Sequence, residues 1–234
     1  MPERAKVALK TTKAQSTVRS MCRASGMVGE IAPVGVVANQ PRILAGTLDI
    51  AASQKAARFV RFCDSFNVPL LTLVDTPGAE PGPAAERDGI AVEIATTLQA
   101  MSRLRTPSVC VCVGEGGSGG AMALGHSDRL FMLASSVFSV ISPEGAAAIL
   151  YRDESRAGEL TGPLRLTSAE LIRLGIADAV LPELATDQVD HLRQAITCAI
   201  GTARPGDRDR RVARATRSFI EAAPVGPPEP AACP

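Results

Sequence analysis

The 234-residue chain has no tryptophan, one tyrosine and six phenylalanines, so aromatic side chains make up only 3% of it. Proteins that bind single-stranded nucleic acid stack bases on aromatic rings, and this composition argues against that class. It also places the core on Ala, Val, Leu and Ile, which a hydrophobic content of 46% can supply. Histidine is nearly as scarce, with only His126 and His191, and the six cysteines form no Cys-x-x-Cys pair. A structural zinc site takes four ligands, so a metal site is not expected. Cys110 and Cys112 lie two apart in an apolar run, where a strand turns both to the same side. They read as small buried hydrophobes of a reducing compartment, which gives a cytoplasmic location. Charge of one sign is missing too: 25 basic residues stand against 24 acidic ones, a net charge of +1, which fits no general polyanion binder. No apolar run is long enough for a membrane span, and the basic start is not followed by the apolar segment of a secretory signal.

What charge bias exists sits at the two ends. Arg4, Lys6, Lys10, Lys13, Arg19 and Arg23 crowd the first, and Arg204, Arg208, Arg210, Arg211, Arg214 and Arg217 the last. One reading is solvated tails and an exposed helix face. The other is docking of an acidic partner or a phosphate-bearing ligand.

Between the ends, apolar strand-like runs alternate with helical periodicity. Residues 34–39 (VGVVAN), 70–74 (LLTLV) and 108–113 (SVCVCV) read as strands, and the continuous apolar runs among them as strands buried on both faces. Helical spacing follows over 50–66 and 90–104. A Gly/Pro-rich loop over 76–89 is long enough to suggest a functional role. Residues 129–141 read as one or two strands, Pro143 opens a helix, and Thr167 or Ser168 caps another that Gly175 stops. A strand over 176–181 and a helix over 187–201 follow. Repeated strand–helix units with buried strands predict an α/β class. The divisions expected are a flexible basic arm over 1–30, a single folded domain over 31–201, a basic helical segment over 202–221 and a disordered Pro-rich tail over 222–234.

The chemistry is concentrated in GEGGSGGAMALG, Gly114 to Gly125. Gly116-Gly117-Ser118-Gly119-Gly120 matches the G-x-S-x-G of serine hydrolase nucleophile turns. That reading needs a base and an acid, and only Ser118, Asp178 or Asp187, and His191 stand in the required chain order, with His191 on an amphipathic helix. His126 lies eight residues after Ser118. A second reading needs no side chain: glycines let backbone N–H groups converge on an oxyanion at the start of a helix. The third is a tight turn that only packs a helix on a sheet.

Together with GEGGSGGAMALG, the segments DTPGAEPG, VISPEGAAAILYRD and LTSAELIRLGIADAVLPE resemble the α-type carboxyltransferase subunit of bacterial acetyl-CoA carboxylase. GVVANQPRILAGTLDIAASQKAARFVRFCDSFNVPLLTLVDTPG is similar to the C-terminal half of propionyl-CoA carboxylase β chains. The resemblance runs over about residues 34–185. It implies a crotonase-like (ClpP/crotonase) fold, a spiral of ββα units, and half of an active site completed by a CoA-binding β-type subunit. It further implies carboxybiotin on a separate biotin carboxyl carrier protein, an acyl-CoA substrate and a dimer of heterodimers. In that family biotin itself serves as the base, so the protein supplies charge stabilisation and positioning. The family's Gly-Gly-Ala turn falls on Gly119, Gly120 and Ala121, with the N–H groups of Gly120 and Ala121 as donors. Gly116 and Gly117 shape the approach, Thr76, Pro77 and Gly78 line the biotin entrance, and Pro143, Glu144 and Gly145 sit nearby. Gly158, Gly162 and Pro163 interrupt a stretch that is more helical in the family. A biotin-dependent decarboxylase or transcarboxylase, a serine hydrolase using Ser118 and a non-catalytic assembly subunit are the competing functions.

Overall fold

The computed structural model describes residues 21–27, 33–183 and 189–222. The remainder of the N-terminal arm and the Pro-rich tail from 223 lie outside the described residues. Within the arm, Met21–Met27 form strand β1, which pairs antiparallel with β2 (Pro33–Asn39) from Met21 opposite Asn39 to Met27 opposite Pro33. The polar, weakly periodic sequence hides this strand, because its ladder bonds are made by the backbone whatever the side chains.

Helix α1 (Ile50–Ser65) follows a loop and starts where the Asp49 carboxylate accepts the Ala52 N–H at 2.6 Å. It returns the chain to β3 (Leu70–Thr76), parallel to β2. The long loop after β3 carries a short helix, α2 (Pro83–Arg87), with proline in its first turn. Helix α3 (Ile90–Ser102), strand β4 (Ser108–Gly117) and helix α4 (Ser118–Gly125) come next. Strand β4 is long enough to take two partners in succession. Val109–Cys112 pair in parallel with β5 (Arg129–Leu133), and Glu115–Gly117 with β6 (Val137–Ser139).

Helices α5 (Pro143–Tyr151) and α6 (Ala157–Leu164) pack on each other around Ala146, Ala147 and Leu160. Gly158, Gly162 and Pro163 therefore do not prevent a helix. A Cβ on either glycine would meet open space, and Pro163 stands one residue from the helix end, where it removes a single rung of the ladder. Helix α7 (Ser168–Arg173) is capped by Thr167 and ends at Gly175, whose φ is +73°. Strand β7 (Ala179–Leu181) and helices α8 (Val189–Thr202) and α9 (Asp207–Ala222) complete the described chain. The sheet order is β1-β2-β3-β4-β5-β7, with β6 beside β4.

Alternation along the central strands builds two cores. Val37, Val74, Cys110 and Cys112 face α1, α3 and α4, packing against Val60, Met101, Ala121 and Leu124. Val34, Leu71, Val109 and Val111 face the opposite way, against Ile196, Ala199 and Ile200 of α8. The two thiols are buried as their spacing implies, and burial raises that of Cys110 to about 12 and that of Cys112 to about 11.

At Arg208 and Arg211 the basic helix departs from a solvated face, while Arg204, Arg210 and Arg217 are exposed. Arg208 is 1% exposed and Asp128 0%. The Arg208 Nε donates to Asp128 Oδ1 at 2.9 Å, and its other nitrogens donate to the carbonyls of Met101 and Leu104. Arg211 and Arg214 both reach Asp178. These arginines face the protein, where they close the rear ends of neighbouring helices.

Candidate active site

The carboxyl ends of β3 and β4 lie side by side, which is where open parallel sheets bind ligands. A register shift between Val74 and Thr76 separates the strands' last residues and leaves Thr76 opposite Gly116. Asp75 bridges the gap: its Oδ1 accepts the Glu115 N–H at 3.1 Å, while its own N–H donates to Asn39 Oδ1 at 3.1 Å. Gly114 leaves room for this carboxylate, since a Cβ there would lie 2.4 Å from Asp75 Oδ1. At this same end of the sheet the Asn39 amide nitrogen is buried without a hydrogen-bond partner.

Beyond Asp75 the loop folds over the end of β4. The Thr76 hydroxyl donates to the Gly78 carbonyl at 3.0 Å and accepts the Gly78 N–H at 3.1 Å. Thr76 is therefore wholly buried and shapes the loop from within, and of the three residues expected to line an entrance only Pro77 is exposed. Gly78 has a φ of +140°, a conformation that favours glycine. Gly116 and Gly117 are the last residues of β4, although the sequence suggests a turn there. They are glycines because neighbours come too close for a side chain. A Cβ on Gly116 would stand 2.2 Å from the Phe138 ring, and one on Gly117 would stand 2.0 Å from the Pro77 carbonyl oxygen.

The chain then turns into α4 at Ser118, whose φ is +53°. The first N–H groups of a helix have no partner within it, and in α4 these belong to Ser118, Gly119 and Gly120. With Gly117 as N-cap and Ser118 in a left-handed conformation, the helical ladder begins at about Ala121. The open donors thus run through Gly120, the first of the expected pair, and end beside Ala121, the second. The helix dipole adds partial positive charge at the same point. Gly120 is packed under the loop, where a Cβ would lie 3.1 Å from the Gly78 carbonyl carbon and 3.2 Å from the Ala79 nitrogen. Behind it, Leu48, Ile94, Thr97 and Leu124 line a cavity of about 10 Å³.

Strand β6 carries the chain along Glu115–Gly117 to the start of α5. Pro143, Glu144 and Gly145 form the first turn of that helix, and the Ser142 hydroxyl accepts the Gly145 N–H at 3.1 Å. They are thus placed at the same end of β4 as the glycine turn.

A serine triad is not assembled. Ser118 opens α4 and His126 caps its other end, about 12 Å away at 1.5 Å per residue. Burial, with Arg208 and Arg211 nearby, holds the His126 imidazole below its usual pKa. His191 is exposed on α8, which covers the opposite face of the sheet. The Asp178 carboxylate accepts from the Leu130 N–H and is held by Arg211 and Arg214. Asp187 lies outside the described residues. What the geometry offers is a cluster of backbone donors to which neither histidine is joined, suited to stabilising negative charge on an oxygen. Sequence reading missed Asp75, Asn39 and Phe138, which set the shape of this end of the sheet.

Among solved structures, the chain is similar to transcarboxylase 12S, with 30% identity, 90% of this chain and 38% of that one covered, and a TM-score of 0.64. A chain of the Pseudomonas malonate decarboxylase hetero-tetramer shares the crotonase-like fold at 20% identity, with 88% of this chain and 92% of that one covered and a TM-score of 0.74. Among curated relatives, the acetyl-coenzyme A carboxylase carboxyl transferase subunits beta/alpha of Salinispora arenicola is 53% identical over 140 residues, covering 60% of this chain and 25% of its own. The carboxyl transferase subunit alpha of the same enzyme from Fusobacterium nucleatum is 48% identical over 130 residues, covering 56% of this chain and 42% of its own. The chain spans less than half the length of these relatives. The family model for acetyl co-enzyme A carboxylase carboxyltransferase-like proteins matches residues 46–203, from the loop before α1 to the end of α8. The chain, with its crotonase-like α/β fold and its glycine turn at the end of β4, belongs to that carboxyltransferase family.

Proposed function

We propose that the chain is the biotin-side half of an acyl-CoA carboxyltransferase. It would receive carboxybiotin on a separate carrier protein and act with a CoA-binding β-type subunit, which holds acetyl-CoA or propionyl-CoA. The observation that carries this reading is the set of backbone donors at the start of α4, lodged between two strand ends with both histidines of the chain away from it. Carboxybiotin, when bound, supplies both the carboxyl group and the basic site, so a chain without a catalytic histidine suffices. The cradle fits such a group. Glycine at 116, 117 and 120 lets Phe138, Pro77 and the Gly78–Ala79 backbone close in around it. Gly119 is half-buried, and a Cβ there would have only Ile94 within 4 Å. The Gly119 and Gly120 N–H groups would hold the ureido oxygen, and Pro77 and Pro143–Gly145 would border its path.

The partner surface has support of its own. Helix α5 exposes Ile149 and Leu150, neighbours in the chain, and Val140 is exposed before its cap, apolar side chains that a partner would cover. A dimer of heterodimers in the cytoplasm is the assembly proposed. Three buried free thiols, Cys63, Cys110 and Cys112, suit a reducing compartment. Among the described residues no helix is long and apolar enough to cross a membrane.

The 30% identity to transcarboxylase 12S favours a second reading, in which the same donors serve a transcarboxylase or a biotin-dependent decarboxylase. Capture of the tagged chain from its native extract, with streptavidin detection and mass spectrometry, tests both. A biotinylated chain and a second crotonase-like chain are expected to come down with it. A biotin carboxylase in the same complex selects the carboxylase reading, and its absence selects the alternative. Recovery of the chain alone as a homo-oligomer under gentle salt would contradict the half-site.

A further inference from the structure

A buried arginine stands behind the glycine cradle with no part in the site as described so far. Helix α4 is eight residues long and built largely from Gly and Ala, so few of its own side chains fix it along its axis. Its front end carries the candidate donors. Its rear end is gripped by other elements. The Gly125 carbonyl accepts from Arg211 Nη2 at 3.1 Å and from the Ser127 hydroxyl at 3.3 Å, and the Leu124 carbonyl accepts from the Thr72 hydroxyl at 3.1 Å. Of these groups only Arg211 is charged, and a cation is favourable at a helix C-terminus. Arg211 is 6% exposed and is itself held by Asp178 Oδ2 at 3.3 Å. One turn earlier on α9, Arg208 takes the Met101 carbonyl near the end of α3 and the Leu104 carbonyl just beyond it, and Ile94 of that helix would lie 3.4 Å from a Cβ on Gly119. Two arginines of α9 thus close the rear ends of the two helices that meet at Gly119.

We infer that Arg211 is a positioning residue for the oxyanion turn: it fixes α4 from behind and so sets where the Gly119 and Gly120 N–H groups meet the substrate oxygen. This inference rests on the carboxyltransferase reading. A displacement of about 1 Å at a catalytic group costs on the order of 100-fold in rate even when its cause is remote.

The test compares Arg211→Gln with Arg214→Gln in the assembled complex. Asp178 retains the Leu130 N–H and one arginine in either variant, and Arg214 otherwise bonds the Gly175 carbonyl, away from α4. Both variants are expected to lower Tm. Only Arg211→Gln is expected to lower kcat, by about 10- to 100-fold, with the KM for acyl-CoA unchanged. It should also speed amide hydrogen exchange across residues 117–121. Arg211→Lys, which can still donate to the Gly125 carbonyl, should recover part of the rate. Equal kcat and equal exchange in the two glutamine variants would overturn the inference. If Arg211→Gln does not fold, Arg211→Lys decides: its single ammonium cannot span the Gly125 carbonyl and Asp178 as the guanidinium does, so a kcat below the parent is expected, and parental kcat and exchange would overturn the inference. If the parent complex transfers no carboxyl group, the functional reading fails instead, and the exchange comparison still decides whether Arg211 positions the turn.

Discussion

Gly120→Val is expected to abolish carboxyl transfer, with a loss of at least about 100-fold, the effect of removing one oxyanion donor. The substitution acts on position and on access together. Its Cβ would come within 2.9 Å of Leu48 Cδ1, 3.1 Å of the Gly78 carbonyl carbon and 3.2 Å of the Ala79 nitrogen. The leucine tip can swing, but the Gly78–Ala79 backbone is tied down. The Leu48 N–H donates to the Gly78 carbonyl at 3.0 Å, and the Glu80 N–H donates to the Leu48 carbonyl at 2.9 Å. The two branches of valine reach further into the same backbone and push the first turn of α4 away from the end of β3. Steady-state transfer by the reconstituted complex, with circular dichroism and co-purification as controls, measures the effect. Normal turnover in a folded, assembled Gly120→Val complex would mean that the glycine turn only packs.

Arg208→Met is expected to cost about 3–5 kcal/mol of stability, the penalty for breaking a buried pair and stranding one charge. Asp128 is 0% exposed. Without Arg208 its Oδ2 retains only the Ser108 N–H at 3.0 Å and the Ser108 hydroxyl at 2.8 Å, and Oδ1 loses its donor. The carbonyls of Met101 and Leu104 lose theirs as well. The double variant Arg208→Met with Asp128→Asn should recover a large part of the loss, because no bare carboxylate then remains inside. Urea denaturation of the parent, the single and the double variants measures both quantities. A single variant as stable as the parent would show that α9 is a detachable surface helix.

Strands β2 to β5 and β7 and helices α1, α3, α5 and α7 were legible because their burial follows their periodicity, whereas α2 and α6 lie in stretches read as a loop and as an interrupted helix. SVCVCV alternates between two cores, and the apolar run LLTLV is buried between α1 and α8. The basic helix was not legible for the opposite reason. Its inward stripe is Asp207, Arg208 and Arg211, with Ala215 and Ser218 half-buried, so charged groups occupy places where periodicity looks for apolar ones. The i, i+3 spacing of Arg208 and Arg211 is the one signal of a shared face, but their partners Asp128 and Asp178 lie 80 and 33 residues away. Strand β1 was hidden because its pairing is a backbone property. At the site, the glycine cluster and its place at a strand end could be read directly. The full extent of β4 could not, since it depends on Glu115–Gly117 pairing with β6.

Ser118→Ala is the most direct test of whether the backbone of this turn, rather than a side chain, performs the chemistry. The measurement is the rate of carboxyl transfer from a carboxybiotin-loaded carrier to acyl-CoA by the assembled complex. Alanine keeps the backbone conformation of an L-residue at φ +53° and removes only the hydroxyl. Catalysis by N–H groups predicts a rate within about 3-fold of the parent, since no transition-state contact is lost. A fall of about 10⁶-fold in a folded, assembled complex, the size expected when a serine nucleophile is removed, would contradict it and make Ser118 the reactive group.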